Sequence, residues 1–136
     1  TITRPDSLNS IYRDEAGGLS GQPLARRALE VLSDAAGHLK RSGATDLVLI
    51  GAGGISTAEH AYARILAGAD LLQLYTALAL NGPYVVTEIL RQLKVLVIAD
   101  GASAVSEIKG VFVSPEKALF HAAHIARIAA KKSGNN

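Results

Sequence analysis

Leu47-Val48-Leu49-Ile50-Gly51-Ala52-Gly53-Gly54-Ile55-Ser56-Thr57 is the stretch on which the fold turns. A continuous apolar run is cut off at Gly51, glycines cluster behind it, and Ser56 and Thr57 stand where a helix can be capped. Unbroken apolarity, without polar alternation, predicts a strand at 47–50 covered on both faces, as in a parallel sheet. The capped helix extends to Ala67, with Gly68 placed to end it. Leu71-Leu72-Gln73-Leu74-Tyr75 then reads as a second, less pure strand. Strand, glycine-rich turn, helix and strand together make a βαβ unit.

Upstream, residues 1–22 are polar and rich in turn formers, which predicts a loop. From Pro23 to Arg41, Leu24, Ala28, Val31, Leu32, Ala35, Ala36 and Leu39 recur near helical spacing, so an amphipathic helix starts at the proline and fades at Ser42-Gly43. Downstream, Asn81-Gly82-Pro83 opens a helix with Val86, Ile89, Leu90 and Leu93 on its inner face. Val95-Leu96-Val97-Ile98 is compatible with either helix or strand. A break at 100–103, a short helix at 104–109, and a last helix launched by Ser114-Pro115-Glu116 and running to Lys132 complete the chain, with residues 133–136 frayed. Two strands make a poor globule, because a parallel pair leaves both outer edges unpaired. The expected fold class is therefore α/β, as the last part of a larger sheet or barrel.

Composition narrows the function classes. The chain has 136 residues, 49% of them hydrophobic and 19% charged, which excludes a disordered tail. Lys and Arg number 14 against 12 Asp and Glu, and a net charge of +2 with no basic run longer than a pair does not imply nucleic-acid binding. Without cysteine there is no disulfide, thiolate nucleophile or Cys zinc site. No run reaches the ~18 apolar residues of a membrane helix. The opening Thr1-Ile2-Thr3-Arg4-Pro5 and the lack of Met lead us to expect an N-terminal truncation.

Two features carry candidate chemistry. Missing Cβ atoms at Gly53 and Gly54 let peptide N–H groups approach a ligand, and the following helix start favours an anion, so a phosphate is the natural guest. A tight turn without a ligand has the same signature, and the run lacks the third glycine of a dinucleotide fingerprint. Tyr75-Thr76, after the second strand, suits the cradle that neighbouring loops of a parallel barrel build for phosphate, although an ordinary strand end looks alike. Ser20 and Ser56 have no His at readable spacing and read as turn or cap residues, while His38 and His60 read as lone helix residues. His121 and His124, three apart on the last helix, lack a third ligand and are taken as solvated surface residues, so no metal site is assigned.

The run from Leu49 to Thr57, with Ala61 and Gly68-Ala69, resembles the dihydroorotate dehydrogenase signature. Thr3-Arg4-Pro5, Glu15 to Gly21 with Pro23-Leu24, and Gln73 to Leu78 resemble the class 2, quinone-reducing branch in the same order. The resemblance covers about residues 1–110 and leaves residues 111–136 as a helical C-terminal extension. It implies the C-terminal part of an FMN-bearing (β/α)8 TIM barrel, about strands seven and eight with their helices and not a complete barrel. It also implies oxidation of dihydroorotate to orotate in pyrimidine synthesis, with electrons passed to quinone by an enzyme peripheral to the cytoplasmic face of the inner membrane. The cofactor-binding positions carried over are Gly21 near the flavin, Gly54 beside the FMN phosphate, and Tyr75 and Thr76 completing the phosphate site. Gly53 is added by adjacency. The family's substrate and catalytic residues would precede Thr1, so no catalytic residue is assigned and the chain alone is expected to be inactive.

Two alternatives remain open: a non-catalytic α/β interaction module, and another FMN-binding TIM-barrel oxidoreductase. The first expects no flavin, and the Leu19-Ser20-Gly21-Gln22-Pro23-Leu24 element argues against the second. With two buried-type strands and little to cover them, an apolar patch beyond the usual few hundred Å² should drive self-association or retention of a missing N-terminal barrel portion. Light scattering should therefore find oligomers or a heterocomplex, and a well-behaved monomer would count against this expectation.

Overall fold

The computed structural model describes residues 4–6, 8–44 and 46–134. Thr3 of the Thr3-Arg4-Pro5 element, residues 1–3 and 7 of the expected loop, and Asn135-Asn136 of the expected frayed end lie outside the described residues. The described part of 4–21 is irregular, held in part by the Arg4 guanidinium, which donates to the carbonyls of Glu15 at 2.6 Å and Gly17 at 3.1 Å. A single 3-10 turn at Gln22–Leu24 leads into helix α1, Ala25–Ser42. Gly43 ends α1 in the left-handed region at φ 70°, where a Cβ would be strained. Its N–H bonds the Leu39 carbonyl.

Strand β1 spans Ile50–Ala52 and pairs in parallel with β2, Leu71–Gln73, in the register Ile50 to Leu71. Both strands are shorter than the apolar runs suggested, and β1 is displaced toward the glycines, so that Gly51 lies inside it. Asp70 explains where pairing begins. Its carboxylate accepts the Leu49 N–H at 2.9 Å, its own N–H donates to the Leu49 carbonyl at 2.8 Å, and Lys109 pairs with the same carboxylate. The run before Leu49 has no partner strand among the described residues, and Leu47 and Val48 are 61% and 64% exposed. Coverage on both faces is therefore not found in this chain: Ile50 and Leu71 are exposed as well.

Between the strands lies helix α2, Ala58–Leu66, whose N-cap Thr57 accepts the His60 N–H through its side-chain oxygen at 3.3 Å. After β2 the chain forms a helix that the sequence did not suggest, α3 at Thr76–Asn81. Gly82 at φ 72° then turns it into α4, Tyr84–Ala99, which includes the ambiguous Val95 to Ile98 as helix. On α4 the buried residues are Ile89, Leu93, Leu96 and Val97, while Val86 and Leu90, expected inside, are exposed. A short α5, Val105–Ile108, precedes α6, Pro115–Ser133, which opens at Ser114 and carries Lys131 and Lys132 in its last turn, where they complement the helix dipole.

The core is helical and centred on α2. Tyr62, Ala63, Ile65 and Leu66 pack with Leu29 and Leu32 of α1, Leu93, Leu96 and Val97 of α4, and Ala118, Ala122, Ile125 and Ala129 of α6. Alanine on facing helices leaves little side chain between them and allows close approach. A polar cluster adjoins this packing. The fully buried Tyr62 donates its hydroxyl to Asp100, whose carboxylate also meets His121 Nε2 at 2.9 and 3.0 Å, and Phe112 lies against the His121 ring. Thus His121 is not the solvated surface residue the sequence suggested; it is half-buried and tied to the end of α4, while His124 is exposed. Burial and the Asp100 carboxylate push the Tyr62 hydroxyl well above its usual range. Asp100→Ala strands this hydroxyl and should cost about 2 kcal/mol in urea unfolding. A loss below ~0.5 kcal/mol, the level of an ordinary surface change, would show that the cluster does not hold α6 in place.

Candidate functional site

The C-terminal ends of β1 and β2 and the start of α1 enclose a cleft of about 580 Å³. All five positions singled out in the sequence line it: Gly21 before α1, Gly53 and Gly54 after β1, and Tyr75 and Thr76 after β2. Parallel strands raise consecutive loops on the same edge of the sheet, which is why residues more than fifty positions apart in sequence meet here.

Each glycine has a local cause. At Gly54, φ is 68°, and a Cβ would fall 2.5 Å from the Ala25 Cα, so α1 sits on the loop where only hydrogen fits. Gly53 has φ 95°, and a Cβ there would stand 3.0 Å from the Ala28 methyl. Gly21, at φ 80°, faces the Thr76 methyl, and the Thr76 hydroxyl donates to Ser20 at 3.1 Å. That bond joins the segment before α1 to the end of β2. Tyr75 is 76% exposed and leaves its ring in the open mouth.

In and behind the lining stand groups that the sequence did not assign to the site. Gln22 donates to Ser56 Oγ, which stands 3.3 Å from His60 Nδ1. Ser56 therefore has a His after all, one helical turn on, and the i,i+4 spacing was the available signal. Burial, together with the Arg64 charge, lowers the His60 pKa from its usual value. Arg64 itself is 1% exposed, beneath the loop. An arginine inside the otherwise apolar run Ala61 to Ala67 was the sign that it turns inward. It donates to the carbonyls of His60 at 3.0 Å, Ala25 at 3.1 Å, and Gly53.

The lining has no Asp, Glu, Lys or Arg among the described residues. What it presents is peptide, hydroxyl and carboxamide groups beside small apolar residues, with glycines where a Cβ would meet Ala25, Ala28 or Thr76. Neutral donors on rigid backbone, without a competing carboxylate, suit the phosphate end of an organic molecule.

A family model described as dihydroorotate dehydrogenase matches residues 2–97. The dihydroorotate dehydrogenase (quinone) of Rhodospirillum rubrum is 49% identical over 110 residues, 81% of this chain and 29% of that protein. Its counterpart in Xanthobacter autotrophicus is 43% identical over 113 residues, 83% of this chain and 30% of that one. Among solved structures, ligand-free DHODH from Eimeria tenella superposes with a TM-score of 0.73 at 34% identity, covering 82% of this chain and 30% of that chain. DHODH from the same organism in complex with ferulenol gives 0.70 at 36% identity, covering 82% and 28%. The chain thus spans about 30% of the length of these relatives. On the strength of the family match and these identities, the chain belongs to the dihydroorotate dehydrogenase family.

Proposed function

We propose that this chain supplies part of the FMN phosphate site of a quinone-type dihydroorotate dehydrogenase, as roughly the seventh and eighth strand units of its barrel. The observation that carries the reading is the convergence of Gly21, Gly53, Gly54, Tyr75 and Thr76 on one cleft without acidic residues. Gly53 and Gly54 offer the anion backbone N–H groups, the Thr76 hydroxyl turns from Ser20 to donate to it, and Gly21 keeps the segment before α1 close to Thr76 at the cleft wall. When bound, the isoalloxazine ring supplies the redox chemistry between dihydroorotate and quinone, and these residues hold and orient the cofactor. No residue of this chain is assigned a catalytic role.

Residues 1–110 form the barrel-derived part in this reading and 111–136 its helical extension. The exposed Leu47, Val48, Ile50 and Leu71 support pairing of the open sheet with the rest of a barrel or with another copy. No helix among the described residues is long and apolar enough to cross a membrane. Access to a membrane quinone would come from peripheral attachment of the complete enzyme at the cytoplasmic face of the inner membrane.

FMN and riboflavin differ by the phosphate alone, which makes them the deciding pair. By fluorescence quenching, the chain should bind FMN about tenfold or more tightly than riboflavin, the scale of one or two charge-assisted hydrogen bonds. Gly54→Ala should remove most of that difference, and the chain alone should show no turnover of dihydroorotate. Equal affinity for the two flavins would sink the phosphate assignment.

A further inference from the structure

Arg64 stands apart from the other cations of the chain. Its guanidinium is buried, and no carboxylate among the described residues lies within ion-pairing distance, so its charge is met by three carbonyls and Nε has no partner. Burial lowers the guanidinium pKa to about 10, which still leaves it charged at neutral pH. Buried cations are ordinarily paired with anions, and this one lies directly beneath a loop that lines an anion-suited cleft.

The three carbonyls belong to three segments: Gly53 in the loop after β1, Ala25 at the start of α1, and His60 in the first turn of α2. Among the described residues every peptide is trans, so a carbonyl and the N–H that follows it point in opposite directions. Drawing the Gly53 carbonyl down onto Arg64 therefore turns the Gly54 N–H away from it. The glycine pair gains from such a restraint, because residues without a Cβ hold the positive φ seen at both positions no more readily than other conformations. The same guanidinium holds Ala25, the residue whose backbone closes on Gly54. None of the cleft's described lining residues is cationic, and Arg64 places a positive charge behind the loop. Behind the loop, burial and then the Arg64 charge lower the pKa of His60, which stands against the lining residue Ser56.

We infer that Arg64 is the positioning residue of the anion site: its fork fixes the Gly53-Gly54 peptide with the Gly54 N–H available to a phosphate, and its charge favours the dianion from below. This rests on the phosphate-site reading above. Arg64 does not line the cleft, so it acts through the loop.

The test uses the full chain with Arg64→Met, which removes charge and fork, and Arg64→Lys, which keeps the charge and loses the fork. One readout needs no ligand: hydrogen exchange in a peptide covering residues 50–57. The other is the affinity for FMN against riboflavin. Arg64→Met should exchange at least about tenfold faster there and lose about tenfold in FMN affinity with riboflavin unchanged, and Arg64→Lys should fall between it and the parent. Unchanged exchange in a folded Arg64→Met, judged by circular dichroism, overturns the positioning role even if the parent still prefers FMN. If Arg64→Met does not fold, Arg64→Lys decides, and parental behaviour in both readouts overturns the inference. A parent that does not distinguish FMN from riboflavin defeats the phosphate reading and, with it, the anion half of the inference, while faster exchange in Arg64→Met would still support the clamp.

Discussion

A charged guanidinium closed off from water must be satisfied where it lies, and in this chain that requirement falls on Arg64. No carboxylate among the described residues meets it, so the surrounding backbone does, and the carbonyls of Gly53, Ala25 and His60 all turn toward one side chain. Three segments from different parts of the sequence are thereby brought to a common point. The loop after β1, the start of α1 and the first turn of α2 cannot shift independently without exposing a polar group to an apolar core.

Small residues make this convergence sterically possible. Gly54 admits the backbone of Ala25, Gly53 the methyl of Ala28, and Gly68 the methyl of Ala36, so α1 rests close against the βαβ unit at three levels. On the far side of α2, alanines of α6 serve the same purpose. The result is a well-packed helical layer under a sheet of two strands whose other surface is open. That asymmetry is consistent with a chain spanning about 30% of the length of its relatives, since a sheet is stabilised by neighbours on its edges and cover on both faces.

Much of the fold could be read in advance because helix signals are local. Caps at Thr57 and Ser114, Gly43 after α1, the Ser114-Pro115-Glu116 start of the last helix and apolar spacing along 23–41 depend on residues within a few positions of one another. The strands were read less well. Apolar runs show where a strand is possible, but pairing needs a partner, and Asp70 starts the ladder at Leu49 rather than at Leu47. Helix α3 escaped notice because Thr76 to Asn81 continues an apolar stretch without a break, and six residues are too few for periodicity to speak. His121 was misjudged for a related reason: its partners Asp100 and Phe112 come from outside its own helix.

Taken alone, the sequence determined the strand-glycine-helix-strand order and the family resemblance, because both are written in residue types at short spacing, and the resemblance, not the spacing, supplied Gly21 among the five positions. Only the tertiary structure decided that Gln22 reaches Ser56, that Thr76 bonds Ser20, and that Arg64 lies beneath the glycine loop. Contacts of this kind join residues far apart in the chain, and their geometry exists only once the parallel strands have set their loops on one edge and the helices have closed behind them.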